Sequence, residues 1–327
     1  MTPPLLCAAL PDALERARGA LDGGPVWLAD TARAALDGAL RESVRGAVLL
    51  VLATLICGAA EGLARDAAAR CVPLCGVLAS AAIAAGDIRS LLGLGAATVE
   101  ELGALAKLIV PAVAAAFASG GFVSAASVWQ VTTLMACDAL CGAAARYLLP
   151  LAYCHIAASA ADAMLGEARL GMLADGLKAL LTGALKLLTA AFAAYLAVTG
   201  VLAGSADRAA VKAAKAAVSG AVPVVGGALS DAAEAVLAAA GAARGTVGAL
   251  GVFAILTVCL VPLVRIGAQL VLYKLAAFAA GLVGTKALSD FLARLGDAFA
   301  LVFAMTAACA LVLMASMLTA VAVTAGG

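Results

Sequence analysis

The sequence is short of charged and aromatic residues and contains one histidine, and these shortages exclude several classes of protein. Only 13% of the 327 residues are charged and 4% are aromatic, whereas soluble globular domains carry about a quarter charged residues. A formal net charge of +1 gives no electrostatic footprint for nucleic acid or for a strongly charged substrate. Of all residues in the chain, 65% are hydrophobic, and the mean hydropathy is +1.11. This composition predicts a membrane protein that contacts lipids and has no nucleic-acid partner.

Catalytic motifs are also missing. A Ser-His-Asp site would depend on the lone His155, and the chain has no G-x-S-x-G elbow, H-E-x-x-H helix or Walker A loop. The nine cysteines lie mostly inside apolar runs, where cysteine usually serves as a small hydrophobe. Cys71 with Cys75, and Cys137 with Cys141, are spaced to point the same way on a helix, but no further ligand completes a metal site. We therefore predict no enzymatic activity, no metal and no cofactor.

Long apolar runs are what the chain has in abundance. About twenty apolar residues span a bilayer, and alanine-rich runs of this length favour helix. The alternating pattern of a membrane barrel is absent, so the backbone must be satisfied within helices. The predicted fold is an all-α polytopic membrane protein with about six to eight transmembrane helices. The predicted spans are 44–64, 71–95, 102–118, 134–162, 174–203, 246–275 and 295–323.

Residues 1–43 differ from the remainder because they hold ten charges. Leucines and alanines recur there at helical spacing, which predicts an amphipathic helical segment outside the bilayer core. This segment would lie on the lipid headgroups or pack on a partner. The opening MTPPLLCAAL lacks a basic region and its apolar run is short, so no cleavable signal peptide is expected.

Two stretches carry the same proline and glycine punctuation. VPAVAAAFASGGFVSAASV (110–128) resembles VPVVGGALSDAAEAV (222–236), and the interval of 112 residues from Pro111 to Pro223 recurs from Pro150 to Pro262. LADGLKAL (173–180) also parallels LSDFLARL (288–295). The pattern predicts an internal duplication. The predicted organisation is an amphipathic segment at 1–43, two transmembrane helices at 44–100, and repeat units at 101–205 and 206–327.

In each repeat the proline and paired glycines would interrupt a helix near the bilayer. Repeated transporter halves place such broken helices at corresponding positions, where helix ends create polar sites. The alternative is a pair of ordinary tight turns at the membrane surface. Under the first interpretation, the residues of the broken helices and of the path are Pro111, Gly120, Gly121, Ser124, Pro223, Gly226, Gly227, Ser230 and Asp231.

Polar residues inside the predicted spans are further candidates, because ionisable groups in a membrane are costly and mark functional sites by default. Arg265, Gln269 and Tyr273 form a polar stripe at i, i+4 and i+8, with Lys274 just beyond. The stripe would line a polar cavity. Alternatively Arg265 pairs with a carboxylate or carbonyl of a neighbouring helix, and Lys274 snorkels. The eight-residue spacing from Asp138 to Arg146 also allows an ion pair within the bundle.

As an ordered set, these motifs resemble the stage III sporulation protein AE family of endospore-forming bacteria. The strongest match is KAAKAAVSGAVPVVGGALSDAAEAV (212–236) followed by VPLVRIGAQLVLYKLAAF (261–278), and the weaker first copy at 111–127 also fits. The resemblance covers roughly residues 44–323. It implies a polytopic protein of the mother-cell membrane around the forespore. The implied partners are the other stage III sporulation A proteins, including a cytosolic ATPase and ring-forming subunits, with the forespore protein Q contacted indirectly.

Two functions follow as expectations from the resemblance and the punctuated repeats. The first is a conduit or permease-like subunit of the trans-envelope complex, with gated access through the broken helices and energy from a partner. The second is a non-transporting scaffold that anchors the other subunits, in which the glycines only permit tight helix packing. The basic face of Arg208, Lys212 and Lys215 would then be a docking strip.

Overall fold

The computed structural model describes residues 30, 33–38, 41, 46, 48–60, 62–63, 68–119, 123–165, 168–202, 246–283 and 286–325. Every element assigned in these ranges is helical, so the predicted all-α fold is confirmed. Most of the amphipathic segment and the second punctuated stretch lie outside the described residues.

Seven α-helices and one π-helical segment make up the described part of the chain. They are α1 (Val48–Ala60), α2 (Ala68–Ser119), α3 (Val123–Ala143), the π segment (Ala144–Leu148), α4 (Leu149–Leu165), α5 (Ala168–Leu202), α6 (Thr246–Val283) and α7 (Lys286–Ala325).

Four stretches in this part of the chain are long and apolar enough to cross a membrane. They are Leu74–Ala115, Ala126–Leu165, Ala254–Leu282 and Lys286–Leu318, whereas α1 is a shorter apolar helix. The predicted spans 71–95 and 102–118 both lie in α2, which has 52 residues and runs through Glu100 and Glu101 without a break. Glutamate is a good helix former. A dip in hydropathy at two glutamates therefore does not end a helix.

The π segment between α3 and α4 has a local cause. Proline lacks an N–H, and its ring clashes with the carbonyl four residues earlier in a regular α-helix. Pro150 lies two residues after the end of the π segment, and the Leu149 N–H donates to the carbonyl of Ala144, five residues back. The wider turn relieves the clash, so the chain continues from α3 into α4.

Helix α7 is the central element of the described bundle. It packs against α2, α3, α4, α5 and α6. Its large side chains are almost fully buried, including Phe291, Phe299, Met305 and Met317, each at most 1% exposed. Burying such side chains is the main favourable term available to this contact. The centre of the bundle is therefore filled by α7.

Two antiparallel hairpins point the same way. α4 ends at Leu165 and α5 begins at Ala168, whereas α6 ends at Val283 and α7 begins at Lys286. Asp162, near the end of α4, forms an ion pair with Arg294, near the start of α7. The end of α4 and the start of α7 therefore lie at the same end of the bundle.

Helix α2 runs parallel to α7 beside these hairpins. A Cβ on Gly95 would meet Val302 Cγ1 at 2.5 Å, and one on Gly76 would meet the Leu288 side chain at 3.8 Å. Residue numbers therefore increase in the same direction along both helices. Glycine lets the two helices approach closely, which supports packing where lipid provides no hydrophobic driving force.

Candidate functional site

A buried polar site joins α2 to α6. Asp87 Oδ2 accepts hydrogen bonds from Gln269 Nε2 at 2.7 Å and from the Tyr273 hydroxyl at 2.9 Å. Gln269 is 3% exposed and Tyr273 is 1% exposed. All three residues lie within candidate membrane spans. Hydrogen bonds to an ionised acceptor are stronger than neutral ones, so these two donors compensate part of the cost of placing a carboxylate there.

The surroundings hold this arrangement in place. The Tyr273 ring meets Phe299 of α7 edge to face, with centroids 5.0 Å apart at 66°. A Cβ on Gly46 would lie 3.3 Å from Asp87 Oδ2, so the chain just before α1 passes close to the carboxylate. Aromatic edge-to-face contacts add about 1 kcal/mol beyond burial. The hydroxyl of Tyr273 is thereby fixed toward α2.

Two charged side chains lie further along these helices, about four turns beyond Asp87 on α2 and about one turn beyond Gln269 on α6. Glu101 of α2 and Arg265 of α6 are both exposed. We call the set Asp87, Glu101, Arg265, Gln269 and Tyr273 the α2–α6 seam. The seam therefore has a hydrogen-bonded half that is buried and a charged half that is open.

A second polar cluster links the two hairpins. Asp297 of α7 accepts Lys178 Nζ of α5 at 2.7 Å on Oδ2, and it pairs with Lys274 of α6 through Oδ1. Arg294 of α7 contacts Asp162 of α4 at 3.2 Å and Asp175 of α5 at 3.7 Å. We call these six residues the hairpin charge network.

The network is balanced and only partly exposed. Three formal positive charges face three formal negative charges, and the Asp297 and Arg294 side chains are 23% and 21% exposed. A charge placed between helices is tolerated when it is paired and hydrogen-bonded. The network therefore ties four helices together without a net charge.

His155, the only histidine of the chain, is buried near this network. Its ring is 0% exposed, and Nδ1 lies 2.9 Å from the carbonyl of Ala174 in α5. Because a carbonyl only accepts, Nδ1 is the protonated nitrogen. In the described part of the chain, Nε2 makes no hydrogen bond. His155 thus joins α4 to α5 as a hydrogen-bond donor.

The predicted polar stripe is divided between the two clusters. Gln269 and Tyr273 face Asp87, Arg265 is exposed at the edge of the seam, and Lys274 turns to Asp297. The directions of two side chains four residues apart on a helix differ by about 40°, whereas those of adjacent side chains differ by about 100°. Lys274 therefore points to α7 while Tyr273 points to α2.

The predicted broken-helix residues are placed only in part. Pro111 lies inside α2, and the helix continues to Ser119. Ser124 lies in the first turn of α3. The remaining members lie outside the described residues, in 120–122 and 203–245: Gly120, Gly121, Pro223, Gly226, Gly227, Ser230 and Asp231. The broken helices stay a prediction.

The sequence singled out Asp138 but suggested Arg146 as its partner, whereas Asp138 pairs with Lys107 of α2 at 3.0 Å. Asp162, Lys178 and Asp297 were not predicted from the sequence. Asp297 lies three residues after Arg294 in an apolar helix, a local signal that could have marked both. Its partner Lys178 is 119 positions away in the chain, so no local pattern indicates their contact.

Among the residues that the structure describes, no group of three or more His, Cys, Asp or Glu side chains could hold a metal ion. The two clusters instead offer ammonium, guanidinium, carboxylate, amide and phenol groups, which bind or conduct polar species through hydrogen bonds and charge.

Comparison with known proteins gives one family. The family model described as stage III sporulation protein AE matches residues 44–326. No curated protein and no solved structure matches the chain.

Proposed function

The chain belongs to the stage III sporulation protein AE family, and from this premise we propose that it is a conduit or permease-like subunit of the sporulation complex. In this proposal it resides as a multi-pass protein in the mother-cell membrane around the forespore. It acts with the other stage III sporulation A proteins, among them a cytosolic ATPase and ring-forming subunits, and indirectly with the forespore protein Q. The chain itself performs no chemistry, and a partner supplies the energy.

The observation that carries the proposal is the α2–α6 seam. Asp87 is held by Gln269 and Tyr273 between two candidate spans, and Glu101 and Arg265 follow on the open half. Ionisable residues within membrane spans are rare because of their cost, and they mark ion or substrate pathways. Spaced along the two spans, these groups would provide hydrogen-bonding partners for a polar solute that crosses lipid.

Replacement of Asp87 tests the proposal. Asp87→Asn keeps the size of the side chain but removes the charge, so we expect heat-resistant spore formation to fall at least about tenfold. Membrane insertion, followed with a fluorescent fusion, should be retained. The measurement is spore titre in an endospore-forming host whose own copy of this subunit is replaced by the variant.

The matched control is Asp290→Asn. Asp290 is an exposed aspartate on α7 outside the seam, and its replacement should leave spore titre unchanged. Full sporulation with Asp87→Asn, at normal protein level, would exclude the seam from function.

A scaffold is the second candidate, favoured by the filled centre of the bundle and by the hairpin charge network. The two functions differ in whether water reaches the seam. Single cysteines at Arg265 and Gln269 should react with a membrane-impermeant thiol reagent from one side if the seam lines a path. Inert thiols at both positions would favour the scaffold.

A further inference from the structure

We propose that Cys141 of α3 and Cys309 of α7 form a reversible disulfide across the interior of the bundle, with a disulfide of another molecule as the oxidant. Neither the α2–α6 seam nor the hairpin charge network includes these two residues. The inference therefore does not rest on the proposed conduit function.

Four cysteines from three helices gather inside the bundle. Cys137 and Cys141 belong to α3, Cys259 belongs to α6 and Cys309 belongs to α7. The Cys309 thiol is hydrogen-bonded to the Cys141 thiol, and Cys137 and Cys259 lie close to it as well. Cys309 follows Cys141 by 168 positions in the chain. The packing of the helices therefore brings the two thiols together, and no local sequence pattern does so.

Contacts at two glycines place Cys141 and Cys309 at the same depth. A Cβ on Gly103 of α2 would lie 3.6 Å from Cys141 Cβ, and one on Gly95 would meet Val302 of α7 at 2.5 Å. Gly103 follows Gly95 by eight residues, and Cys309 follows Val302 by seven. Because α2 and α7 run parallel with a rise of about 1.5 Å per residue, the two cysteines differ in depth by about 2 Å. This agrees with the hydrogen bond between their thiols.

The two thiols differ in access. Cys309 is 2% exposed, whereas Cys141 is only partly buried, and both are free thiols. Thiol–disulfide exchange requires a sulfur that the reagent can reach. Cys141 is therefore the sulfur that reacts first, and Cys309 is the one that resolves the intermediate.

Disulfide geometry favours this pair over the neighbouring cysteines. The Cβ atoms of residues four apart on a helix are separated by about 5–6 Å, and a disulfide needs a Cβ separation of about 3.5–4.5 Å. Cys137 and Cys141 are therefore too far apart along α3 to join each other. Cys259 is 2% exposed and lies near Cys309 without a hydrogen bond to its thiol. Cys141 is thus the partner of Cys309.

The proposed reaction is a thiol–disulfide exchange in two steps. The Cys141 thiolate attacks one sulfur of the oxidant, the S–S bond of the oxidant breaks, and the first leaving thiolate takes up the proton that Cys141 lost. The Cys309 thiolate then attacks the Cys141 sulfur of the mixed disulfide. This step forms the S–S bond between α3 and α7 and releases the second thiol with the proton from Cys309. Two electrons pass from the cysteine pair to the oxidant, which becomes two thiols.

The bond would fasten α3 to the central helix α7. A disulfide that closes a long segment of chain removes more freedom from the unfolded state than one that closes a short segment. Oxidation would therefore stabilise the folded chain and restrain the movement of α3 against the bundle. Reduction would release this restraint.

Mapping of the bond in the unaltered full-length chain tests the pairing. The purified protein in detergent is treated with dithiodipyridine, a small apolar disulfide, the remaining thiols are blocked with N-ethylmaleimide, and the chain is digested with trypsin. The expected product joins peptide 108–146, which contains Cys137 and Cys141, to peptide 295–327, whose only cysteine is Cys309. Dithiothreitol should separate the two peptides. A Cys309 that stays unlinked after the treatment would overturn the proposal.

Alanine variants identify the partner of Cys309. Cys141→Ala should abolish the linked product. Cys137→Ala, one turn earlier on the same helix, is the matched control and should retain the linked product in full. Survival of the product in Cys141→Ala, or its loss in Cys137→Ala, would contradict the pairing. The mapping in the unaltered chain does not depend on the folding of either variant.

Thermal unfolding measures the restraint. The oxidised protein should unfold at least about 3 °C above the reduced protein. In Cys309→Ala this difference should vanish, although the other cysteines still meet the oxidant. Equal unfolding temperatures for the oxidised and reduced unaltered chain, or a difference that persists in Cys309→Ala, would show that the bond does not restrain α3.

Discussion

At the scale of single residues, the buried polar side chains matter energetically because the side chains around them are mostly apolar. Asp87 of α2 accepts two hydrogen bonds from α6, one from the Gln269 amide and one from the Tyr273 hydroxyl. In water these bonds would add little, since each group would exchange one partner for another. Between buried helices the alternative is an unsatisfied group, so removal of one donor is costly.

Tyr273→Phe isolates one of these donors. It keeps the ring contact with Phe299 and deletes only the hydroxyl that reaches Asp87. Because a hydrogen bond to a charged group contributes about 1.5–3 kcal/mol, we expect a loss of stability of that size. Thermal unfolding of the purified protein in detergent measures it. Tyr153→Phe on α4, where the side chain is 45% exposed, is the control and should unfold like the unaltered protein.

At the scale of helices, glycine and charge decide which elements touch. The α2–α7 contact depends on the absence of a side chain at Gly95, where an added Cβ would lie 2.5 Å from Val302. The two hairpins are instead joined by ion pairs, through Asp297 with Lys178 and through Arg294 with Asp162. Close backbone approach and paired charges are the two ways in which helices associate inside lipid.

Gly95→Ala should weaken the α2–α7 contact. Val302 is 1% exposed and β-branched, so it cannot turn away from the added methyl group. Overpacking of this kind costs about 1–3 kcal/mol, which thermal unfolding in detergent would show.

Gly93→Ala, two residues earlier on the same helix, is the matched control. A Cβ there meets nothing within 4 Å. Alanine is the better helix former by up to about 1 kcal/mol, so this variant should be neutral or more stable. Equal unfolding temperatures for both variants would contradict the close approach of α2 and α7.

At the scale of the whole molecule, orientation follows from the hairpins. The end of α4 and the start of α7 lie at one end of the bundle, because Asp162 and Arg294 are paired. The predicted duplication related α4 and α5 to α6 and α7 through Pro150 and Pro262. The duplication stays a prediction, but these two pairs of helices share one orientation, as in a parallel repeat and not an inverted one.

Sidedness can be measured directly. Single cysteines at Arg169 and Lys286, close to the two turns, should react with a membrane-impermeant thiol reagent added to the same side. Val128 is 60% exposed and lies near the start of α3, at the other end of the bundle. A cysteine there should react from the opposite side. Labelling of Arg169 and Lys286 from opposite sides would exclude the arrangement of hairpins described above.

The sequence alone was enough to predict that the chain lies in lipid and that its secondary structure is helical. Apolar runs longer than a bilayer is thick require a backbone that satisfies its own hydrogen bonds, and this requirement is local to each segment. The sequence also marked Gln269 and Tyr273 as polar residues on an apolar helix, because helical spacing is local. The sequence analysis wrongly divided α2 into two spans. Hydropathy falls at the two glutamates, but glutamate is a good helix former and the helix continues through them.

Only the tertiary structure decided which polar groups meet. Gln269 lies 182 positions from Asp87 in the chain, and Lys178 lies 119 positions from Asp297. Such pairings depend on how helices pack around α7, which no segment specifies by itself. The same packing placed α7 in the centre and left Glu101 and Arg265 on the outside. The physical reason is that a helix forms through interactions between residues close in sequence, whereas contacts between helices depend on the shapes and charges of whole helix faces.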